Sequence, residues 1–322
     1  MTTPGIGRTD AREAVHKAWD VAIAGEIFID HVFSGFERWP QPGTEYFTDD
    51  YVREVGGGAA ITCCALARLG ARVAIFGVVG EQDDWLRRRL QEYGVGLDGL
   101  QQSACGTAIS VSISTREDRS FLTWPGANRD LEAYLSDRRT HDRLAQAHHV
   151  HLALPLKRSL AAELIPRLRA AHCTLSLDVG HQPEWLRDPA NLATCREVDY
   201  FFPNELEGRL MTGLTEPEEI LRELRSRGIE GAVLKLGPAG AAALNGDGIC
   251  RATPPRVEAV DTTGAGDAFD AGFLRALVEG LSLSGMLHCG CICGALSTRS
   301  AGALSALPSA EEFGKYQTTE ER

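Results

Sequence analysis

Gly264, Ala265, Gly266 and Asp267 stand directly before an apolar run in which Phe269, Phe273, Ala276 and Leu277 recur at helical spacing. Gly280 is placed to end that helix. Small residues at a helix N-terminus let backbone N–H groups come close to a ligand. The helix dipole adds partial positive charge there, so the loop reads as an anion hole. An acid at this place has two readings. It is either an ordinary first-turn acid, worth about 0.3–1 kcal/mol to the helix, or a working base. Phosphoryl transfer needs a pocket for the charge on the transferred group, a metal, and a residue that takes the nucleophile's proton. The loop supplies the first, and Asp267 is placed to supply the third. No Gly-x-x-x-x-Gly-Lys-[Ser/Thr] run occurs in the chain, which excludes a Walker-type nucleotide site.

Such a loop needs a framework to hold it. Residues 20–25, 70–80, 148–154, 173–180, 199–204 and 231–237 contain short apolar runs that read as strands. Helix-like segments at 61–70, 158–171 and 216–228 alternate with them. The last has Thr215 as its expected N-cap, Pro217 and acids in the first turn, and Gly228 at its end. This alternation predicts an α/β fold, a central mostly parallel sheet flanked by helices. Residues 27–55 and 105–124 instead alternate apolar and polar side chains, the mark of half-exposed antiparallel strands. We read them as a small antiparallel β-sheet inserted at two places, a lid over the end of the main sheet, with a charged turn at 116–119. Residues 1–322 then form a single domain whose last residues are expected to fray.

The bulk composition narrows the function classes. A chain of 322 residues with 43% hydrophobic and 24% charged residues is ordinary for a soluble globular protein. No stretch approaches the ~20 apolar residues of a membrane span. The first 20 residues lack the apolar core of a signal peptide, so the expected location is cytoplasmic. A net charge of −11 argues against a nucleic-acid surface. The nine cysteines are odd in number and scattered, as for reduced thiols. Cys289, Cys291 and Cys293 do not share a helical face, and core packing is the expected role rather than metal binding. His149 and His151 share a strand face without a nearby acid, which reads as hydrogen-bonded structure. Asp178 ends a strand, where α/β sheets bind ligands.

The run Asp261 to Phe269 (DTTGAGDAF) resembles the C-terminal signature of the ribokinase-like (PfkB) carbohydrate kinases. The resemblance runs from Gly25 to about Pro308. Gly56-Gly57 before a helix ending Arg68-Leu69-Gly70 is similar to the family's glycine pair and its helix. Asn204-Glu-Leu-Glu207 resembles its Asn-x-x-Glu element, and Lys235-Leu-Gly237-Pro-Ala-Gly240 its strand and Gly-x-x-Gly turn. The resemblance implies that Asp267 deprotonates the substrate hydroxyl while the N–H groups of Gly264, Ala265 and Gly266 hold the charge on the γ-phosphate. It implies ATP as co-substrate and Mg2+ near Asn204 and Glu207, through water. Lys235, Gly237, Gly240 and Cys291 fall at the nucleotide. Asp30 matches a family acid that binds sugar hydroxyls, and a carboxylate suits a vicinal diol. Gly56 and Gly57 would let the backbone approach the substrate, and Asn128 is a further pocket candidate. Asp261 and Thr263 match positions whose carbonyls hold a monovalent cation, K+, in some relatives.

The chain also departs from the family pattern. Ile61 and Phe28 stand where relatives place sugar-binding Asn residues, so ribose is not the expected preferred substrate. Phe28 could stack on a sugar face or a base, or pack in the lid. Cys291 stands where many relatives have Asn, and Lys235 where Thr is common. The Asn and Arg that follow the Asp178 position in many relatives are absent. The reading reached is an ATP-dependent phosphotransferase acting on a hydroxyl of a sugar or sugar-like substrate. A nucleoside kinase on the same fold and a non-catalytic metabolite-binding relative are the alternatives. Exposed lid edges predict a homodimer through the lid.

Overall fold

Val21, Ala22, Ile23 and Ala24 are all fully buried, the pattern of a strand covered on both faces. They lie in β1 (Trp19–Gly25), which pairs in parallel with β4 (Val73–Gly80) on one side and β8 (Ala147–Ala153) on the other. Three more strands, β5 (Gly96–Ser103), β9 (Thr174–Asp178) and β10 (Tyr200–Phe201), complete a six-stranded parallel sheet of order β10-β9-β8-β1-β4-β5. The computed structural model describes residues 17–115, 119–246 and 248–317. The expectations for the N-terminal segment, the centre of the 116–119 turn and the last five residues lie outside these described residues.

The alternation within β1 divides the core. Val21 and Ile23 pack with the helices Gly58–Arg68, Ala265–Val278 and Leu283–Ser297. Ala22 and Ala24 pack on the other face with Arg158–Ala170 and Pro217–Ser226. Successive strands run outward from the β1/β8 junction in both directions, so the carboxyl ends of β1 and β8 flank the crevice where open α/β sheets take ligands. A three-stranded antiparallel sheet of β11 (Val233–Lys235), β12 (Ala241–Asn245) and β13 (Gly248–Ala252) adjoins β10 through the bridges Phe201↔Ala232 and Asn204↔Lys235.

The two inserted segments meet in one smaller sheet of β2 (Phe28–Phe36), β3 (Tyr51–Gly56), β6 (Ala108–Thr115) and β7 (Arg119–Trp124), ordered β3-β2-β6-β7. The pairs β2/β3 and β6/β7 are antiparallel, as the sequence predicts, but β2 and β6 run parallel. Period-two alternation reports half-exposure and carries no information on strand direction. Other boundaries shift too. The alternation at 44–50 does not form strand, and Glu216, without a side-chain bond, replaces Thr215 as the N-cap of its helix. The strand β5 escapes the sequence reading because its GLDGLQQS is half polar at the sheet edge. Among the described residues, no helix is long and apolar enough to cross a membrane.

The helix Ala265–Val278 reaches the crevice by packing very closely on Leu283–Ser297. A Cβ at Gly272 would lie 2.4 Å from the Cys289 carbonyl oxygen and 2.8 Å from Cys293 Cβ, and one at Gly290 would lie 2.7 Å from the Phe269 ring. Gly272→Leu is therefore expected to destabilise the protein by about 1–3 kcal/mol, the usual scale for overpacking. Urea unfolding of the two proteins measures it, and an unchanged midpoint would show that the helices can separate cheaply.

Candidate active site

The N-terminus of Ala265–Val278 is set by Gly264, whose φ of 73° lies in the left-handed region. A Cβ there would come within 2.8 Å of Ala303 and 3.2 Å of Ile61, so the loop passes too close to its neighbours for a side chain. Ala268 N–H makes the helix's i→i−4 bond to Gly264 O at 2.9 Å, and Ala265 N–H turns back to Thr262 O at 3.2 Å. The groups ahead of Ala268, at Gly266 and Asp267, belong to the helix end that backbone laddering leaves to a ligand. Ala265 thus shapes the turn with its N–H, in place of the expected donation to an anion.

Asp267 faces the helix Gly58–Arg68. Its Oδ1 lies 3.0 Å from where a Gly58 Cβ would stand, and Thr62 Oγ1 donates to its backbone carbonyl at 3.2 Å. Burial first, then the Asp178 charge, raise its pKa to about 7 against the opposing Lys235 ammonium, and Asp30 adds to the rise. Asp30 is also raised to about 7, by burial and by Glu54 opposite it on β3. A Cβ at Gly56 would overlap the Asp30 carboxylate, at 2.0 Å. One at Gly57, with φ 91°, would lie 3.0 Å from the Phe28 ring. The Gly56–Gly58 turn therefore runs between the two carboxylates with no room for side chains, as the sequence implies for the glycine pair.

On the other side of the helix terminus stands Lys235. Its Nζ donates to Asp178 at 2.6 Å and to Asp270 at 3.3 Å, and lies 3.3 Å from where a Gly266 Cβ would be. Burial disfavours the ammonium, but Asp178, Asp270 and Glu207 more than offset this and raise its pKa. Asp178 answers in the opposite direction: burial works to raise it, and Lys235 wins and holds it low. Burial drives Asp270 strongly upward. The sequence reading missed Asp270. It sits one helical turn after Gly266, a spacing that places it on the same side.

Asn204 and Glu207 form a reciprocal cap. Glu207 N–H donates to Asn204 Oδ1 at 2.9 Å, and Glu207 accepts from Asn204 N–H at 2.8 Å and Nδ2 at 2.7 Å. Asn204 thereby caps the helix Glu205–Thr212. Burial, then Asp178, raise Glu207 to about 7. Gly237, Gly240 and Cys291 line a cavity of about 350 Å³ with Pro254, Val257 and Phe269, and Lys235 sits at its border with a second space beside Asn204. Gly240, φ 92°, would place a Cβ 1.9 Å from Ala252 O, so only glycine closes this turn.

Other expected residues sit differently. Ile61 is buried in the core beside Gly264. Asn128 spends both ends of its amide on the Ile27 backbone, at 3.3 and 3.1 Å, and so braces the entry to β2. Asp261 pins its own turn: Oδ1 accepts from Thr263 N–H and Oγ1–H, and Oδ2 from Gly302 N–H. Arg119 on β7 reaches across to Asp261 and Thr263 at 3.1 and 2.6 Å. His149 and His151 are buried and share the Ser176 hydroxyl. Burial lowers the His151 pKa to about 4. The three cysteines of 289–293 are buried, unbridged thiols. Among the described residues, no group of three His, Cys, Asp or Glu is placed to hold a metal ion.

Residues 20–310 match the pfkB family carbohydrate kinase pattern. The chain belongs to this family. A deoxyribokinase of Salmonella typhi is 24% identical over 317 residues, covering 94% of this chain and all of the relative. The fold matches Arabidopsis thaliana ribokinase complexed with ribose and ATP, with a TM-score of 0.82 at 24% identity, over 94% of this chain and all of that one. It also matches a ribokinase II candidate from E. coli in complex with ATP and Mg2+, with a TM-score of 0.78 at 22% identity, over 93% and 99%. This pfkB family member is a carbohydrate kinase that shares its relatives' central sheet and small sheet.

Removing the Lys235 ammonium leaves buried carboxylates uncompensated, a loss of about 3–5 kcal/mol. Lys235→Met is expected to unfold at lower urea at pH 7.5. Burial then raises the unpaired Asp178, which takes up a proton as pH falls, so the deficit shrinks at pH 5. An equal deficit at both pH values would rule out charge as the cause.

Proposed function

We propose that the protein transfers the γ-phosphoryl group of ATP to a hydroxyl of a sugar or sugar-like alcohol, with Asp267 as the base. One observation carries this reading: Asp267 stands at the end of the Gly264–Gly266 loop and also against Gly58, which opens the helix behind the Asp30 carboxylate. A substrate hydroxyl between these elements meets the base and the anion hole together. Asp267 accepts the hydroxyl proton as the new O–P bond forms and the β–γ bridging P–O bond breaks, with ADP as the leaving group. The N–H groups at Gly266 and Asp267 and the Lys235 ammonium then balance charge on the transferred oxygens.

The apolar cavity bordered by Gly237, Gly240 and Cys291 suits a nucleotide base, and Lys235 marks its phosphate end. Asn204 and Glu207, with the Asp178 charge near Glu207, suit Mg2+ that keeps most of its waters and phosphate ligands. When bound, it would neutralise phosphate charge. Asp261 and Thr263 offer backbone carbonyls in a turn pinned by the Asp261 side chain, which supports a K+ site there. We place the whole 1–322 chain in one ribokinase-like domain with the smaller sheet as lid. The nine unbridged thiols support a cytoplasmic setting.

A coupled ADP-release assay with Mg-ATP over sugars, sugar acids, polyols and nucleosides tests the reading. Asp267→Asn is expected to lower kcat by at least ~10²-fold while ATP still binds. A base must be deprotonated, so with Asp267 near 7 the wild-type kcat/KM is expected to rise as pH goes up through about 7. Exchanging K+ for tetramethylammonium in the same assay reports on the cation. Near-normal turnover by Asp267→Asn would remove it as the base.

The outer face of the smaller sheet supports the homodimer. Tyr51, Leu122 and Trp124, which the strand register puts on one face, are 47%, 63% and 42% exposed. Pairing this face across a two-fold axis would cover them. Light scattering at micromolar concentration is expected to give twice 34.8 kDa, and a monomer would reject the assembly.

A further inference from the structure

The strand register of the smaller sheet sets out what its inner face offers to a substrate. Partners across a sheet point to the same side. Glu54, Asp30, Ser110 and Thr123 are successive partners across β3, β2, β6 and β7, and therefore form one row. The row on one side of it holds Gly56, Phe28 and Ala108, and the row on the other holds Val52, Val32, Ser112 and Phe121.

Three contacts show that this face, and not the opposite one, looks onto the catalytic loop. Arg119, two rows on from Thr123, bonds Asp261 and Thr263. Val52 lies 3.9 Å from where a Gly302 Cβ would be, next to the same turn. Asp30 itself fills the space beside Gly56 and couples electrostatically to Asp267.

Among the described residues, the charges in these rows are one-sided. Glu54 is held by Arg89 through bonds of 2.9 and 2.6 Å, which leaves Asp30 as the carboxylate presented in the row. Asp267 adds a second carboxylate at the far side of the glycine turn. Among the described residues of the face, the cation is Arg119, which bonds Asp261 and Thr263. An anionic substituent placed here would meet like charge, which weakens its binding and discriminates against it. Two hydroxyls and a carboxylate in line, flanked by Phe28 and Val32, match instead a ligand with hydroxyls along one edge and C–H groups on either side.

We infer that the substrate is an uncharged polyol, read by the Asp30–Ser110–Thr123 row, and that sugar acids and phosphorylated sugars are excluded. Ser110 and Thr123 are specificity-determining residues for this substrate. The inference rests on the kinase reading above, and its test separates the two.

Matched trios are the probes: ribose, ribonate and ribose 5-phosphate, then glucose, gluconate and glucose 6-phosphate, with arabinitol and inosine as further uncharged compounds. Each is assayed both for ADP release and for binding by calorimetry. In every trio that is turned over, the uncharged member is expected to exceed both anions by at least about 10-fold in kcat/KM. For the best substrate, Ser110→Ala and Thr123→Val are each expected to raise KM about 5-fold, the scale of one hydrogen bond, and to leave the KM for ATP unchanged. Ser120→Ala, on the opposite face of β7, is the control and is expected to change neither.

An anion as best substrate, or an unchanged KM in both row variants, overturns the inference and leaves the kinase reading standing. Tighter binding of the uncharged member than of both anions in a trio, without phosphoryl transfer, sinks the kinase reading and supports the row's preference for uncharged polyols. Neither turnover nor binding of any uncharged member overturns the inference.

Discussion

The Lys235 ammonium is the positive charge around which the acids of the crevice are arranged. Asp178 and Asp270 contact it directly, while Glu207 and Asp267 lie within its field. In a buried setting such charges interact far more strongly than in water. The acids answer by dividing. Asp178 stays ionised against Lys235, whereas burial moves Asp270, Asp267 and Glu207 toward the neutral form. A cleft so poor in positive charge receives polyphosphate best when cations accompany it, and a metal ion becomes the largest local charge once present.

The backbone makes this arrangement possible. Lys235 bridges to Asn204 at the end of the main sheet, and Asp178 ends β9 on the same edge. Asp267 and Asp270 come from one helix, whose close approach to Leu283–Ser297 requires glycine at 272 and 290. Four groups from three sequence-distant elements are thus fixed to the carboxyl edge of one sheet, where rigid elements place side chains more accurately than loops do.

Local pattern made some of this legible. The glycine loop at 264–266, the glycine turn at 56–58, the Asn-x-x-Glu element at 204–207 and the turn at Gly237–Gly240 are short-range features, and each forms a turn or helix start where its spacing implies. The inner strands of the main sheet were readable from their apolar runs, whereas the half-polar edge strand β5 was not. What stayed hidden depends on partners far along the chain. Asp270 looks like any helix acid until β9 and β11 bring Asp178 and Lys235 to it. Asn128 reads as a pocket amide, yet Ile27, 101 residues away, takes both of its bonds. Ser110 and Thr123 become neighbours of Asp30 through register alone, and no spacing in the sequence records register.

The parallel junction of β2 and β6 bears on how the chain reaches its native state. The β2/β3 and β6/β7 pairs are each nearly local, but joining them links Phe28 to Ala108 across the intervening β4 and β5. Closing so long a loop costs entropy that these few contacts do not return on their own. Assembly of β1 with β4 and β5 brings the two pairs to the same end of the molecule and shortens that loop in effect. The β2/β6 junction therefore depends on the main sheet forming around it, and this smaller sheet is expected to be less protected than the main sheet when the protein opens locally.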